Sequence, residues 1–109
     1  MTSETIVTLA AGNLELKLNP CVGGSIRSFE WLDGKRSARI LRKCNSSSQK
    51  VLDAAGFPLV PYVNRIRGGC FRFRGRAVRI APNMPGDPSP LHGQGWLGPW
   101  TVEASNPLA

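Results

Sequence analysis

Residues Arg65–Arg79 read RIRGGCFRFRGRAVR, with six arginines, three glycines, two phenylalanines and no acid. By composition the stretch resembles an RNA-binding tag, but its pattern is that of a strand pair. With Arg74-Gly75 as a two-residue turn, Phe73 faces Arg76, Arg72 faces Ala77, Phe71 faces Val78 and Cys70 faces Arg79. Side chains alternate along a strand, so Phe71, Phe73, Val78 and Ile80 share one face while Arg72 and Arg79 project from the other. This register sends the phenylalanines into a core and parts them from the arginines. A base-stacking platform needs exposed aromatics beside basic groups.

Working outward, period-two patterns dominate the chain. Ile6–Leu9 and Leu14–Leu18 read as an opening hairpin around Ala-Gly-Asn, Ile26–Leu32 as a third strand between Gly23-Gly24 and Asp33-Gly34, and Ala38–Leu41 as a fourth. The run CNSSSQ at 44–49 has no apolar rhythm and reads as a surface loop. Prolines exclude helix interiors and central strands from GFPLVP at 56–61 and from IAPNMPGDPSPLHGQG at 80–95. Trp100–Ala104 reads as a further strand. With no amphipathic helix and no repeat, the fold class is all-β, with antiparallel strands and hairpins.

The 109 residues suffice for one small domain, and 41% apolar with 19% charged residues is a globular balance. A net charge of +7 suits a polyanion, a phosphorylated metabolite or an anionic surface without choosing among them. The start, MTSETIVTLAAGNLELKLN, has neither the basic cluster nor the apolar run of a signal peptide, and no stretch approaches the roughly 20 apolar residues of a membrane span. The chain therefore reads as soluble and cytoplasmic. Cys21, Cys44 and Cys70 are odd in number and lack CxxC spacing, which argues against a disulfide framework and a zinc site.

Two segments carry candidate chemistry. In PLVPYVNRIRGG, Asn64-Arg65 follows an apolar run and precedes a glycine pair, which places a fork of donors at the end of a rigid segment. In NMPGDPSPLHGQG, His92 is the single histidine of the chain, in a Gly/Pro loop of the kind that carries binding groups on β scaffolds.

The order Asn64-Arg65-Ile66, Gly68-Gly69, the FRFRGR hairpin, Asn83, Leu91-His92-Gly93, Gly95 and Trp100 resembles the N-terminal part of the aldose 1-epimerase (galactose mutarotase) family. GNLELKLNPCVGGSI is similar to the family's opening strands and glycine turn. The resemblance implies a β-supersandwich that binds a hexose on one sheet and interconverts its α and β anomers. A glutamate takes the proton of the C1 hydroxyl, a histidine protonates the ring oxygen, and the ring opens, C1 rotates and the ring closes, with no cofactor or metal. Acid and base groups acting at two oxygens suit that chemistry. By position, Arg65 resembles the sugar-binding arginine, Asn64 its neighbour, and His92 the first of two active-site histidines.

The family's second histidine, acidic sugar-binding residue and glutamate base have no counterpart among these residues. Glu103, alternating with Val102 in the expected last strand, is no substitute. Residues 1–109 thus read as an incomplete N-terminal part of one sugar-binding domain, an isomerase fragment with part of the sugar site and no base. The expected partner is a hexose of the galactose/glucose class, not nucleic acid or membrane, and half a sandwich leaves sheet edges open to self-association. The alternatives are a hexose-phosphate 1-epimerase fragment, in which excess arginines hold phosphate, and a small basic nucleic-acid-binding β domain.

Overall fold

In the computed structural model, residues 6–45 and 47–104 are described; the ends of the chain and Ser46, inside the expected 44–49 loop, lie outside them. The chain divides into two compact units, one built from residues up to Pro58 and from Gly95 onward, the other from Leu59–Gln94.

The first unit is a four-stranded antiparallel meander of β1 (Val7–Ala11), β2 (Leu14–Asn19), β3 (Ser25–Leu32) and β4 (Ser37–Leu41), in that spatial order. The four strands read between Ile6 and Leu41 are all present. Two bulges shape the meander. Between Lys17↔Ser28 and Leu18↔Ile26 the extra residue is Arg27, and between Phe29↔Leu41 and Glu30↔Arg39 it is Ile40. A bulge re-aims a side chain and sharpens the local twist. Arg27 is correspondingly buried and donates from Nη1 to the Asn45 carbonyl at 2.7 Å, while its own carbonyl accepts from Cys44 N–H at 2.9 Å.

The core of this unit is small and unusually polar. Among the described residues, Trp96, Ala54, Cys44 and Pro20 are buried apolar residues of this unit, alongside buried Asn19, Ser25, Arg27 and Ser28. Trp96 stacks on Phe57 with ring centroids 5.7 Å apart. The expected strand at Trp100–Ala104 is not formed; residues 101–104 join no ladder, although Trp100 is pinned by its N–H to the Pro20 carbonyl and its indole N–H to the Gly95 carbonyl. Pattern alone could not supply a strand with a partner edge. Two short 3₁₀ turns, at Val51–Asp53 and Arg67–Gly69, are the helical elements among the described residues. None of the described helices is long and apolar enough to cross a membrane.

The second unit contains the hairpin of β5 (Cys70–Phe73) and β6 (Arg76–Arg79), paired in the register read from the sequence: Cys70↔Arg79, Phe71↔Val78, Arg72↔Ala77 and Phe73↔Arg76. Arg74 and Gly75 both have positive φ, 50° and 76°, as a two-residue turn matching the strand twist requires. The expectation that the phenylalanines enter a core fails. Phe71 is 41% and Phe73 59% exposed, Arg76 stands opposite Phe73 on the same face, and the Arg74 guanidinium lies 5.2 Å above the Phe73 ring. Register follows from local alternation, whereas burial needs a second layer packed on the face.

The glycine turn feeding β3 is set by steric contact. Gly23 has φ 64°, and a Cβ there would lie 2.2 Å from the Trp96 carbonyl oxygen. Gly12 has a similar φ of 58° with open space around it. Gly12→Ala is expected to cost about 1–2 kcal/mol, the left-handed penalty alone, and Gly23→Ala at least about 1 kcal/mol more because backbone must move. Urea unfolding of the two variants checks the difference.

Candidate functional site

All three expected site residues lie in the second unit, on two segments that run antiparallel. Arg65 and Leu91 form an isolated bridge, and Ile66 N–H donates to the Pro90 carbonyl at 3.2 Å. At the end of this pairing, Asn64 and His92 exchange two hydrogen bonds. His92 N–H donates to the Asn64 carbonyl at 2.9 Å, and Asn64 N–H donates to His92 Nδ1 at 2.8 Å. Both residues have positive φ, 71° and 58°, which turns backbone donor and imidazole toward one another. Asn tolerates this region better than most residues; His92 is held in it by its neighbours.

Protonation follows from that contact. A backbone N–H can only donate, so Nδ1 must accept, and the neutral imidazole carries its proton on Nε2. His92 is thereby fixed as an Nε2–H donor.

The loop behind His92 is braced by Asn83. Its Nδ2 donates to the carbonyls of Leu91 at 2.8 Å and Gly93 at 3.0 Å, and its Oδ1 accepts from Leu91 N–H at 2.8 Å. Gly93, with φ 72°, is packed so closely that a Cβ would lie 2.2 Å from Pro61 Cδ and 2.7 Å from the Val60 carbonyl oxygen. Val60-Pro61 is a cis peptide bond. Pro61, in the segment before Asn64, and the Val60 carbonyl thus form the wall on which Gly93 of the LHG loop rests. The hydroxyl of Tyr62 is buried without a partner among the described residues, and nothing in the structure explains it.

Arg65 is held by a residue that sequence reading missed. Its Nε donates to Asp87 Oδ2 at 2.6 Å, while Asp87 Oδ1 accepts from Ser89 N–H at 2.9 Å and Ser89 Oγ accepts from Gly68 N–H at 3.0 Å. The Arg65 guanidinium beside it, followed by the Ser89 N–H, holds the Asp87 carboxyl below its ordinary value of 3.8. A signal existed in the sequence. Asp87 is the single acid between Leu59 and Gln94, among six arginines, and it begins an Asp-Pro-Ser turn. No cluster of three or more metal-ligating side chains occurs among the described residues.

Residues 5–108 match the aldose 1-epimerase family. The chain belongs to that family. The Escherichia coli K12 protein YphB, which is uncharacterized, is 42% identical over 96 residues, covering 88% of this chain and 31% of YphB. A crystal structure of an aldose 1-epimerase candidate from Escherichia coli K12 superposes with a TM-score of 0.82 at 38% identity, over 96% of this chain and 34% of that one. The GalM/aldose epimerase homologue from C. elegans gives a TM-score of 0.72 at 22% identity, again over 96% of this chain and 34% of its own, and supports the fold alone. The chain spans about a third of the length of these relatives.

The lowered Asp87 value has a signed consequence. Because the folded carboxyl is more acidic than the unfolded one, the pairing contributes stability that is fully present above the unfolded value and is lost as pH falls through the folded value. A carbon-detected NMR titration of the Asp87 carboxyl is expected to show a midpoint below 3.8, moving up toward that value in Arg65→Gln. A midpoint at or above 3.8 in the unsubstituted chain would contradict the pairing.

Proposed function

We propose that residues 1–109 form the N-terminal part of one sugar-binding domain of an aldose 1-epimerase. They contribute Asn64, Arg65 and His92 to a hexose site and work in the cytoplasm. The observation that carries this reading is the Asn64–His92 pairing, which leaves a histidine committed to donating from Nε2 one residue along from the Asn64-paired, Arg65-bridged backbone.

Anomer interconversion by ring opening moves a proton off the C1 hydroxyl and puts one on the ring oxygen. His92, as an Nε2–H donor, suits the ring-oxygen side. Arg65, whose guanidinium presents several donors in one plane, suits two adjacent sugar hydroxyls, and its exposed side chain is open to a ligand. No metal or cofactor enters this scheme: as the C1 hydroxyl gives up its proton a carbonyl forms at C1, the bond from C1 to the ring oxygen breaks with its electron pair going to that oxygen, which is protonated, and after rotation at C1 the same steps reverse.

The base side of the reaction is not supplied by these residues. The chain has one histidine, and Asp87, the single acid of the second unit, is engaged with Arg65. Residues 1–109 are therefore a sugar-binding part that does not turn over on its own. The hexose-phosphate alternative is less well supported at Arg65, because a guanidinium already paired with a carboxylate attracts an anion weakly.

Titration of the 109-residue chain with galactose or glucose, followed by ligand-observed NMR, is expected to show saturable binding. Arg65→Ala and His92→Ala should each weaken it by about tenfold or more, the loss of one charge-assisted or well-oriented hydrogen bond. A coupled anomer-equilibration assay should run no faster than buffer. Turnover that disappears in His92→Ala would overturn the assignment of an incomplete site, and identical hexose binding by all three proteins would overturn the site itself.

A further inference from the structure

Six arginines lie between Arg65 and Arg79, yet among the described residues Arg65 alone has a carboxylate partner. That partner is the single acid of the second unit. The contact is unlike an ordinary surface ion pair in how it is built. Asp87 does not meet the end of the guanidinium fork; its Oδ2 takes the Nε–H at 2.6 Å, the donor nearest the chain. Its other oxygen is tied to Ser89 N–H, and the turn that carries it is closed by the Met84–Asp87 bridge. The Arg65 backbone is fixed in turn by its bridge to Leu91. Both ends of the interaction are thus anchored by main chain before the side chains meet.

Stability is a poor reason for the pair. Arg65 and Asp87 side chains are 51% and 25% exposed, and such pairs typically contribute little. Orientation is a better one. A guanidinium is planar, so a hydrogen bond at Nε with a fixed carboxylate restricts the plane without using either terminal amino group. Neither terminal group has a hydrogen-bond partner among the described residues.

We propose that Asp87 is the positioning residue of Arg65: it fixes the guanidinium plane through Nε, leaves the two terminal amino groups for adjacent neutral hydroxyls of a sugar, and offsets the charge that would otherwise favour an anion. Its ligand-facing half rests on the reading of the site as a hexose site; the positioning half does not.

The test separates the two. In the 109-residue chain, the Arg65 Nε–Hε resonance is followed by ¹⁵N relaxation in the unsubstituted protein, Asp87→Asn and Asp87→Glu, with the backbone amide spectrum confirming that each is folded. The signal is expected to be ordered in the unsubstituted chain, to lose that order in Asp87→Asn, and to recover in part in Asp87→Glu, which restores the charge with a longer reach. Titration of the same proteins should show glucose binding weakened about tenfold in Asp87→Asn, with glucose 6-phosphate gaining relative to glucose. An Arg65 Nε–Hε signal that is mobile in the unsubstituted chain, or unchanged in Asp87→Asn, overturns the positioning role whatever the sugars do. A signal that responds as expected in proteins that bind no hexose upholds the positioning role and overturns the hexose reading instead.

Discussion

Two hydrogen bonds between Asn64 and His92 hold the two segments of the candidate site together. One is an ordinary backbone bond at the end of a short antiparallel pairing; the other runs from a backbone N–H to an imidazole nitrogen and decides where the histidine keeps its proton. For both to form, Asn64 and His92 must each sit in the left-handed region. That conformation is held from behind by the three Asn83 bonds and by the close seat of Gly93 on Val60-Pro61. The proline-rich composition of the second unit is therefore structural in origin and chemical in consequence.

The charge of the chain takes on meaning once it is mapped. Between Leu59 and Gln94 there are six arginines and one aspartate, a balance of +5 out of the chain's +7. The five arginines without a carboxylate are on or beside the β5–β6 hairpin and its entry turn, where they are solvated. The sixth, Arg65, is drawn out of that set by Asp87. Local electrostatics thus separates one arginine with a defined geometry from five that give the unit its positive charge.

Much of the scaffold was legible from alternation because strand geometry is local. β1 to β4 and the β5–β6 register were readable to within a residue or two at each end, since a period of two and a turn such as Arg74-Gly75 leave few alternatives. Facing was legible and burial was not. Phe71 and Phe73 lie on the expected face, but whether that face is covered depends on chain remote in sequence. Trp100–Ala104 failed for a related reason, as a strand exists only with a neighbour to pair with. Asn64, Arg65 and His92, the candidates named from their motifs, lie on two adjacent paired segments, while the Asp87 contact spans 22 residues and is visible only in three dimensions.

The tautomer of His92 is the most direct measurement of the central interaction. A long-range ¹H–¹⁵N correlation spectrum of the 109-residue chain, recorded at a pH where the imidazole is neutral, distinguishes protonated from unprotonated ring nitrogens. An unprotonated Nδ1 with the proton on Nε2 is the expected result, and it should revert toward an unrestrained mixture in Asn64→Pro, which lacks the donating N–H and cannot hold the positive φ that aims it. A His92 protonated at Nδ1 in the unsubstituted chain would contradict the hydrogen bond from Asn64, and with it the assignment of His92 as a donor to a sugar ring oxygen.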